Sequence, residues 1–263
     1  MIKALYTAAT GMNAQTTYID NTSNNIANVN TTGFKKGQVD FEDLLYEDRR
    51  LPGTDAAQGL QYPTGIQIGS GTAVSGITKV FSTGNLTNTT NQLDLAIEGD
   101  GFIQVTLPNG ELRYTRDGGL KLNSQGNLVT SDGFLISPQI TIPQQALAVT
   151  IGVDGTISVT NAGAINTSTV LGQLTLARFQ NPAGLNAQGR NLFAESVSSG
   201  APIIATPGQN GIGSIRQGFL ERSNVDVVSE LINLIVAQRA FEFNSRAIRT
   251  ADNMLGSAVS LIQ

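Results

Sequence analysis

Cysteine, histidine and tryptophan are all absent from the 263 residues of this chain. Without Cys or His there are no disulfides, no thiolate nucleophile, no zinc site built from those ligands and no His-dependent catalytic arrangement. The lack of Cys does not by itself locate the protein, since a secreted chain can do without disulfides. Charge is also sparse, at 14% of residues with a net value of −4, so there is no basic patch for nucleic acid. Long apolar runs are missing as well. After Lys3 the N-terminus alternates polar and apolar residues, which leaves no signal-peptide core, and no stretch approaches a membrane span. Neither nucleic-acid binding nor direct membrane insertion is expected, and any export should follow a route that cleaves no signal peptide.

Two stripes of heptad-spaced apolar residues stand at the chain ends. Leu5, Met12, Ile19 and Ile26 recur every seven residues, with Ile2, Ala9, Thr16 and Ser23 three residues before them. Near the other end Leu234, Phe241, Ile248, Leu255 and Ile262 keep the same interval, with Ala237, Asn244, Ala251 and Ala258 three residues after the first four. Side chains three and four apart share a helix face, so each end reads as a helix with a narrow seam that packs into another helix. The first is rich in Asn and Thr and carries Gly11, a composition that makes a poor isolated helix. The second has Asn224 or Asp226 as a cap, and Glu242 stands four residues before Arg246. These nine seam residues are the candidate assembly interface. An ordinary intramolecular pair of terminal helices would show the same spacing.

The body between the ends has a different rhythm. Turn dipeptides recur at Asp100-Gly101, Asn109-Gly110, Asp117-Gly118, Gln125-Gly126 and Asp132-Gly133, separated by β-prone runs such as Phe102 to Leu107, Leu112 to Thr115 and Leu128 to Thr130. Asn-Gly and Asp-Gly between such runs signal hairpins, because Gly accepts the positive φ of tight turns. The pattern predicts a mixed α and β chain. Terminal helices of residues 1–33 and 223–263 form a coiled-coil-like pair, residues 34–84 form an extended arm with short strands, and residues 85–222 form an all-β body, a meander or barrel-like.

Catalysis has little to work with. Asp94, Glu98 and Asp100 are the most chemistry-like set, able in principle to do acid–base work or bind calcium. Alternation of Asp94 with Leu93, Leu95 and Ile97, followed by Glu98-Gly99-Asp100-Gly101, reads instead as a strand entering a turn. Arg113 to Arg116 with Asp117 reads at best as a local strand-to-turn charge pair, worth little if exposed. No nucleophile has a base beside it. No catalytic residue, metal site or cofactor is expected, and the competing reading is a secreted β-rich glycan-binding protein.

Three ordered segments carry a resemblance. Ser23-Asn24-Asn25-Ile26-Ala27-Asn28-Val29-Asn30-Thr31-Thr32-Gly33-Phe34-Lys35 is similar to the N-terminal signature of the bacterial flagellar rod and hook family. Leu93 to Phe102 with Tyr114 to Gly118 resembles that family's central segment. Gln217 to Glu221, Ser223 to Val228, and Ala237-Gln238-Arg239-Ala240-Phe241-Glu242 to Ile248 resemble its C-terminal signature. Within the family, the length and the stretch from Phe41 to Gly69 resemble distal-rod members, with departures between Glu47 and Pro63, and another rod or hook subunit is the alternative. The resemblance marks Ser23, Asn24, Asn25, Asn28, Thr32, Gly33, Phe34, Gln238 and Arg239 as signature residues. It implies a structural subunit that passes the flagellar type III export apparatus, polymerises helically with itself, and meets proximal rod subunits, hook subunits and ring proteins in the periplasm-spanning rod of the basal body.

Overall fold

A computed structural model describes residues 2–53, 55–57, 60–161 and 168–260. Two long helices, α1 (Ile2–Ala27) and α2 (Val227–Ser260), flank a strand-rich middle. The chain falls into two compact units. The first comprises residues 1–27, 37–78 and 226–263, and the second residues 28–36 and 79–225.

In the first unit the helices run antiparallel. Gly11 faces Asn244, whose Nδ2 lies 2.9 Å from where a Cβ on Gly11 would sit, and Asn25 Nδ2 reaches Glu230 Oε2 at 3.4 Å. Residue numbers thus rise along one helix as they fall along the other. The buried positions are small or polar, namely Ala8, Ala14, Thr22 and Asn25 on α1 and Glu230, Ala237 and Ala251 on α2. Small side chains at a helix contact let the backbones approach closely. Within the Thr-rich α1, Thr7, Thr16 and Thr17 donate their hydroxyls to the carbonyls of Lys3, Met12 and Asn13 one turn back, which satisfies the hydroxyls without adding helix stability. Asp226 caps α2, its carboxylate accepting from Val228 N and Ser229 Oγ. Glu242 pairs with Arg239 at 3.0 Å, three residues before it, rather than with Arg246.

Between the helices this unit holds short ribbons. Gly37–Asp43 pairs with Thr72–Lys79, and Tyr46–Arg50 pairs antiparallel with Ile66–Gly69 in the register Tyr46↔Gly69. Asn25 grips the first ribbon at its start, accepting from Gly37 N and donating to Gly37 O, both at 2.9 Å.

The second unit is built on a nine-stranded sheet. Its centre is Phe102–Thr106, paired antiparallel with Leu112–Thr115 along one edge and with Leu135–Ser137 and Leu176–Arg178 along the other. Residues 102–105 are all buried, so the simple alternation expected for this run gives way to a strand covered on both faces. Ile103 belongs to an aliphatic core with Leu95, Ile97, Leu120, Leu128, Ile136 and Leu176. Phe102 joins an aromatic one, with ring centroids 5.7 Å from Phe179 and 6.0 Å from Phe193, and Tyr114 lies 4.8 Å from Phe179. Such edge-to-face pairs add to simple burial.

Three of the five expected hairpin turns form. Asn109-Gly110, Gln125-Gly126 and Asp132-Gly133 each join paired strands. The other two do not. Strand Leu95–Glu98, which precedes Asp100-Gly101, pairs with Ser214–Gln217 instead of the next strand. At Asp117-Gly118 the chain crosses against Leu95, whose N–H donates to Gly118 O, and a Cβ on Gly118 would overlap the Leu95 carbonyl oxygen. Gly is needed there for close approach rather than for a turn. Consecutive antiparallel strands form two meanders among the described residues: Lys121–Leu122, Leu128–Val129 and Leu135–Ser137 within the nine-stranded sheet, and Ala146–Ile151, Thr156–Asn161 and Ser168–Gln173 in a separate sheet. The apolar run Val170 to Phe179 is split between that sheet and the nine-stranded one. Among the described residues no sheet closes into a barrel, because the long sheet ends at Lys121–Leu122 on one side and Asn186–Gly189 on the other.

Candidate functional site

The two helices of one chain meet where Gly11 faces Asn244 and Asn25 reaches Glu230. Of the seam residues, Leu5, Met12, Ile19, Ile26, Leu234, Ile248 and Leu255 are half-buried, Phe241 remains 38% exposed, and Ile262 lies outside the described residues. Ala237 and Ala251 of the same seam are buried, and Asn244 meets Gly11. The intramolecular pair anticipated as the alternative therefore occupies much of this face.

A second apolar surface was not singled out by the heptads. Val228, Leu231, Ile232, Ile235, Val236 and Phe243 of α2 are exposed, Ile232 by 55%, Ile235 by 57% and Phe243 by 64%. The sequence signal was present in Leu231-Ile232-Asn233-Leu234-Ile235-Val236, which is apolar almost all the way round the helix rather than along one stripe. An exposed apolar face of this extent marks an interaction site.

The signature residues divide between surface and interior. Ser23, Asn24, Gln238 and Arg239 are exposed, whereas Asn25 is buried on Gly37. Asn28 Oδ1 accepts from Thr31 Oγ1. In the second unit, Thr32 Oγ1 donates to Asp117 Oδ1 at 2.8 Å, and the Phe34 ring lies 4.7 Å under the Lys79 ammonium. Gly33 has φ +67° and packs so tightly on Arg116 and Asp117 that a Cβ would stand 2.7 Å from their backbone. Its N–H donates to Glu221 O at 2.8 Å.

Beside it lies a buried ion cluster that sequence reasoning missed. Lys35 Nζ donates to Glu221 Oε1 at 2.5 Å and to Ser82 O at 2.6 Å. Arg116 Nε stands 3.5 Å from Glu221 Oε2, while its terminal nitrogens donate to the carbonyls of Gly99 and Gly101 at 2.8–2.9 Å. Arg116 is only 3% exposed, which corrects its reading as half of a weak local pair. Asp117 is not its local partner either, being taken by Thr32 and Gly119 N. Burial and the Arg116 charge push the Lys35 ammonium below its ordinary pKa, with Glu221 opposing. Burial likewise lowers Arg116, against the pull of Glu221 and Asp100. Asn224, the other candidate cap, is used here too, accepting from Lys36 N and donating to Val80 O, both at 2.8 Å.

The acidic set is dispersed into structural duties. Asp94 accepts from Thr89 Oγ1 and Asn91 Nδ2, Glu98 leans toward Arg216 at 3.7 Å, and Asp100 belongs to the turn gripped by Arg116. Among the described residues no group of three or more His, Cys, Asp or Glu could hold a metal ion, and no helix is long and apolar enough to cross a membrane.

Comparison with known proteins agrees with this geometry. Residues 5–35 match the family described as flagella basal body rod protein, residues 96–159 the flagellar hook protein FlgE/F/G D1 domain, and residues 216–261 the flagellar basal body rod FlgEFG protein C-terminal. The flagellar basal-body rod protein FlgG of Borreliella burgdorferi is 46% identical over 263 residues, covering 99% of both chains. That of Caulobacter vibrioides is 46% identical over 261 residues, again 99% of both. The flagellar hook-basal body complex protein FlhP of Bacillus subtilis is 31% identical over 272 residues, covering 97% of this chain and 98% of its own. With matched segments at both helices and in the body, and full-length identity to rod proteins, the chain belongs to the flagellar basal-body rod and hook family.

Proposed function

We infer that the protein is a structural subunit of the distal rod, which self-assembles helically into the rigid, hollow shaft that carries motor torque to the hook and filament. Full-length similarity to basal-body rod proteins supports the assignment. The observation that carries the assembly reading is the exposed apolar face of α2 from Val228 to Phe243. Each aliphatic side chain moved from water into a contact contributes about 1.5–3 kcal/mol. When the patch on one copy meets a different surface on the next, the contacts are head-to-tail and non-closing, and a filament results.

On this reading the seam residues from Leu5 to Leu255 hold the helix pair, and its remaining half-exposed members, Phe241 first, complete their burial against neighbouring copies. Further partners are proximal rod subunits, hook subunits, the surrounding ring proteins and the type III export apparatus. Delivery by that apparatus needs no cleaved signal peptide and ends in the periplasm-spanning rod. The role is mechanical, without catalysis.

Ile235→Asp tests the assignment. The expected result is loss of motility and of completed rods in electron micrographs, with the circular dichroism of the purified monomer unchanged. Full-length rods built from this variant would overturn it.

A further inference from the structure

Several contacts that attach residues 28–36 to the second unit converge on one late residue. Glu221 accepts Gly33 N through its carbonyl, and it accepts Lys35 Nζ and Gly84 N through Oε1. The next residues continue the join. Arg222 N donates to Asn85 O, and Asn224 bridges Lys36 N to Val80 O. The fit at Gly84 is close enough that a Cβ would overlap the Arg222 carbonyl oxygen. Segment 221–224 therefore lies between two stretches that precede it by well over a hundred residues.

The charges make this join conditional. Lys35 and Arg116 are both buried, and Glu221 is the carboxylate that contacts the two of them. Removing one partner of a buried pair leaves an uncompensated charge and is strongly destabilising.

We propose that Glu221 is a latch: residues 28–36 dock on the rest of the second unit only once the stretch around Glu221 is in place to neutralise Lys35 and Arg116. Docking of the N-terminal signature segment thus waits on a stretch near the other end of the chain.

The test is amide hydrogen exchange, read by mass spectrometry, on dilute full-length monomer in three forms: wild type, Glu221→Gln, and Lys35→Met/Glu221→Gln. Gln keeps an acceptor for Gly84 N and removes only the charge. The expected result is an increase in exchange of about 100-fold or more across residues 28–36 and at Gly84 in Glu221→Gln, corresponding to the loss of a buried ionic partner. Protection should recover part of the way toward wild type when Lys35→Met removes one of the two stranded cations, since Arg116 keeps its bonds to the Gly99 and Gly101 carbonyls but not its counter-charge. General loss of protection in Glu221→Gln that the second substitution partly reverses also supports the latch and extends it to the whole unit. Wild-type protection in Glu221→Gln, or failure of the double variant to recover at all, overturns it. Because the measurement uses the unassembled monomer, its failure leaves the rod assignment standing, and failure of rod assembly leaves the latch standing.

Discussion

The two units of this protein use apolar and charged residues in opposite ways. The helical unit buries Ala, Thr, Asn and a Glu at its helix contact and leaves Ile232, Ile235, Val236 and Phe243 in water. The β unit encloses most of its Phe, Ile and Leu in two cores, although Leu147, Ile203 and Ile204 stay exposed, and adds a buried Lys, Arg and Glu. Burial of large apolar groups is the main source of stability in folding. The β unit buries most of its large apolar groups, whereas the helical unit leaves several of its largest on the surface, where the proposed assembly would cover them. A buried ion cluster is compatible with the first strategy, since a well-made core can absorb the desolvation cost and gain a defined arrangement in return.

Substitutions can break this contrast. The largest effect is expected for Phe102→Ala, which removes a ring contacting Phe81, Phe179 and Phe193. About 3–5 kcal/mol of stability should be lost from the β unit, read as an earlier denaturant midpoint in near-ultraviolet circular dichroism. Next is Gly33→Ala, where positive φ and the 2.7 Å approach to Arg116 and Asp117 act together. A loss of about 1–3 kcal/mol is expected in the same unit. Ala237→Leu should overpack the helix contact and cost about 1–3 kcal/mol, appearing as loss of helical signal at lower temperature.

Val236→Ser sharpens the contrast from the other side. It should change monomer stability by less than about 0.5 kcal/mol, as a surface substitution does, yet slow polymerisation measured by light scattering. If it destabilises the monomer as much as Ala237→Leu, the exposed face is not left free for association. The smallest effect concerns Glu47, whose carboxyl is held below its ordinary pKa of 4.5 by a hydrogen bond and charge from Lys3 at 2.6 Å. Its contribution is present above the ordinary glutamate range and disappears as pH falls through the lowered value. The slightly higher melting temperature of wild type over Glu47→Gln at neutral pH should therefore vanish in acid.

Much of this was legible in the chain. Heptad spacing placed both helices, and Ala237, Asn244 and Ala251 were read on the face that meets α1. Asn109-Gly110, Gln125-Gly126 and Asp132-Gly133 placed hairpins because a tight turn is decided by two or three adjacent residues. Asp100-Gly101 and Asp117-Gly118 carry the same local signal and misled, since their flanking strands pair elsewhere. The exposed face of α2 was readable only as an excess of apolar residues over what one seam requires. No local signal marked the burial of Lys35 and Arg116, because their partner is a glutamate far along the chain.

By itself, then, the sequence determined the class of each region, because helical and strand periodicity, capping and turn chemistry act over a few residues. It also determined what chemistry was excluded, since composition sets which ligands and nucleophiles exist. Tertiary structure alone decided which face of α2 meets α1 and which is left for other partners. It also decided that Lys35, Arg116 and Glu221 leave water together. Both outcomes depend on which distant segments the topology brings side by side, and a buried charge is tolerated only where that meeting supplies its counter-charge.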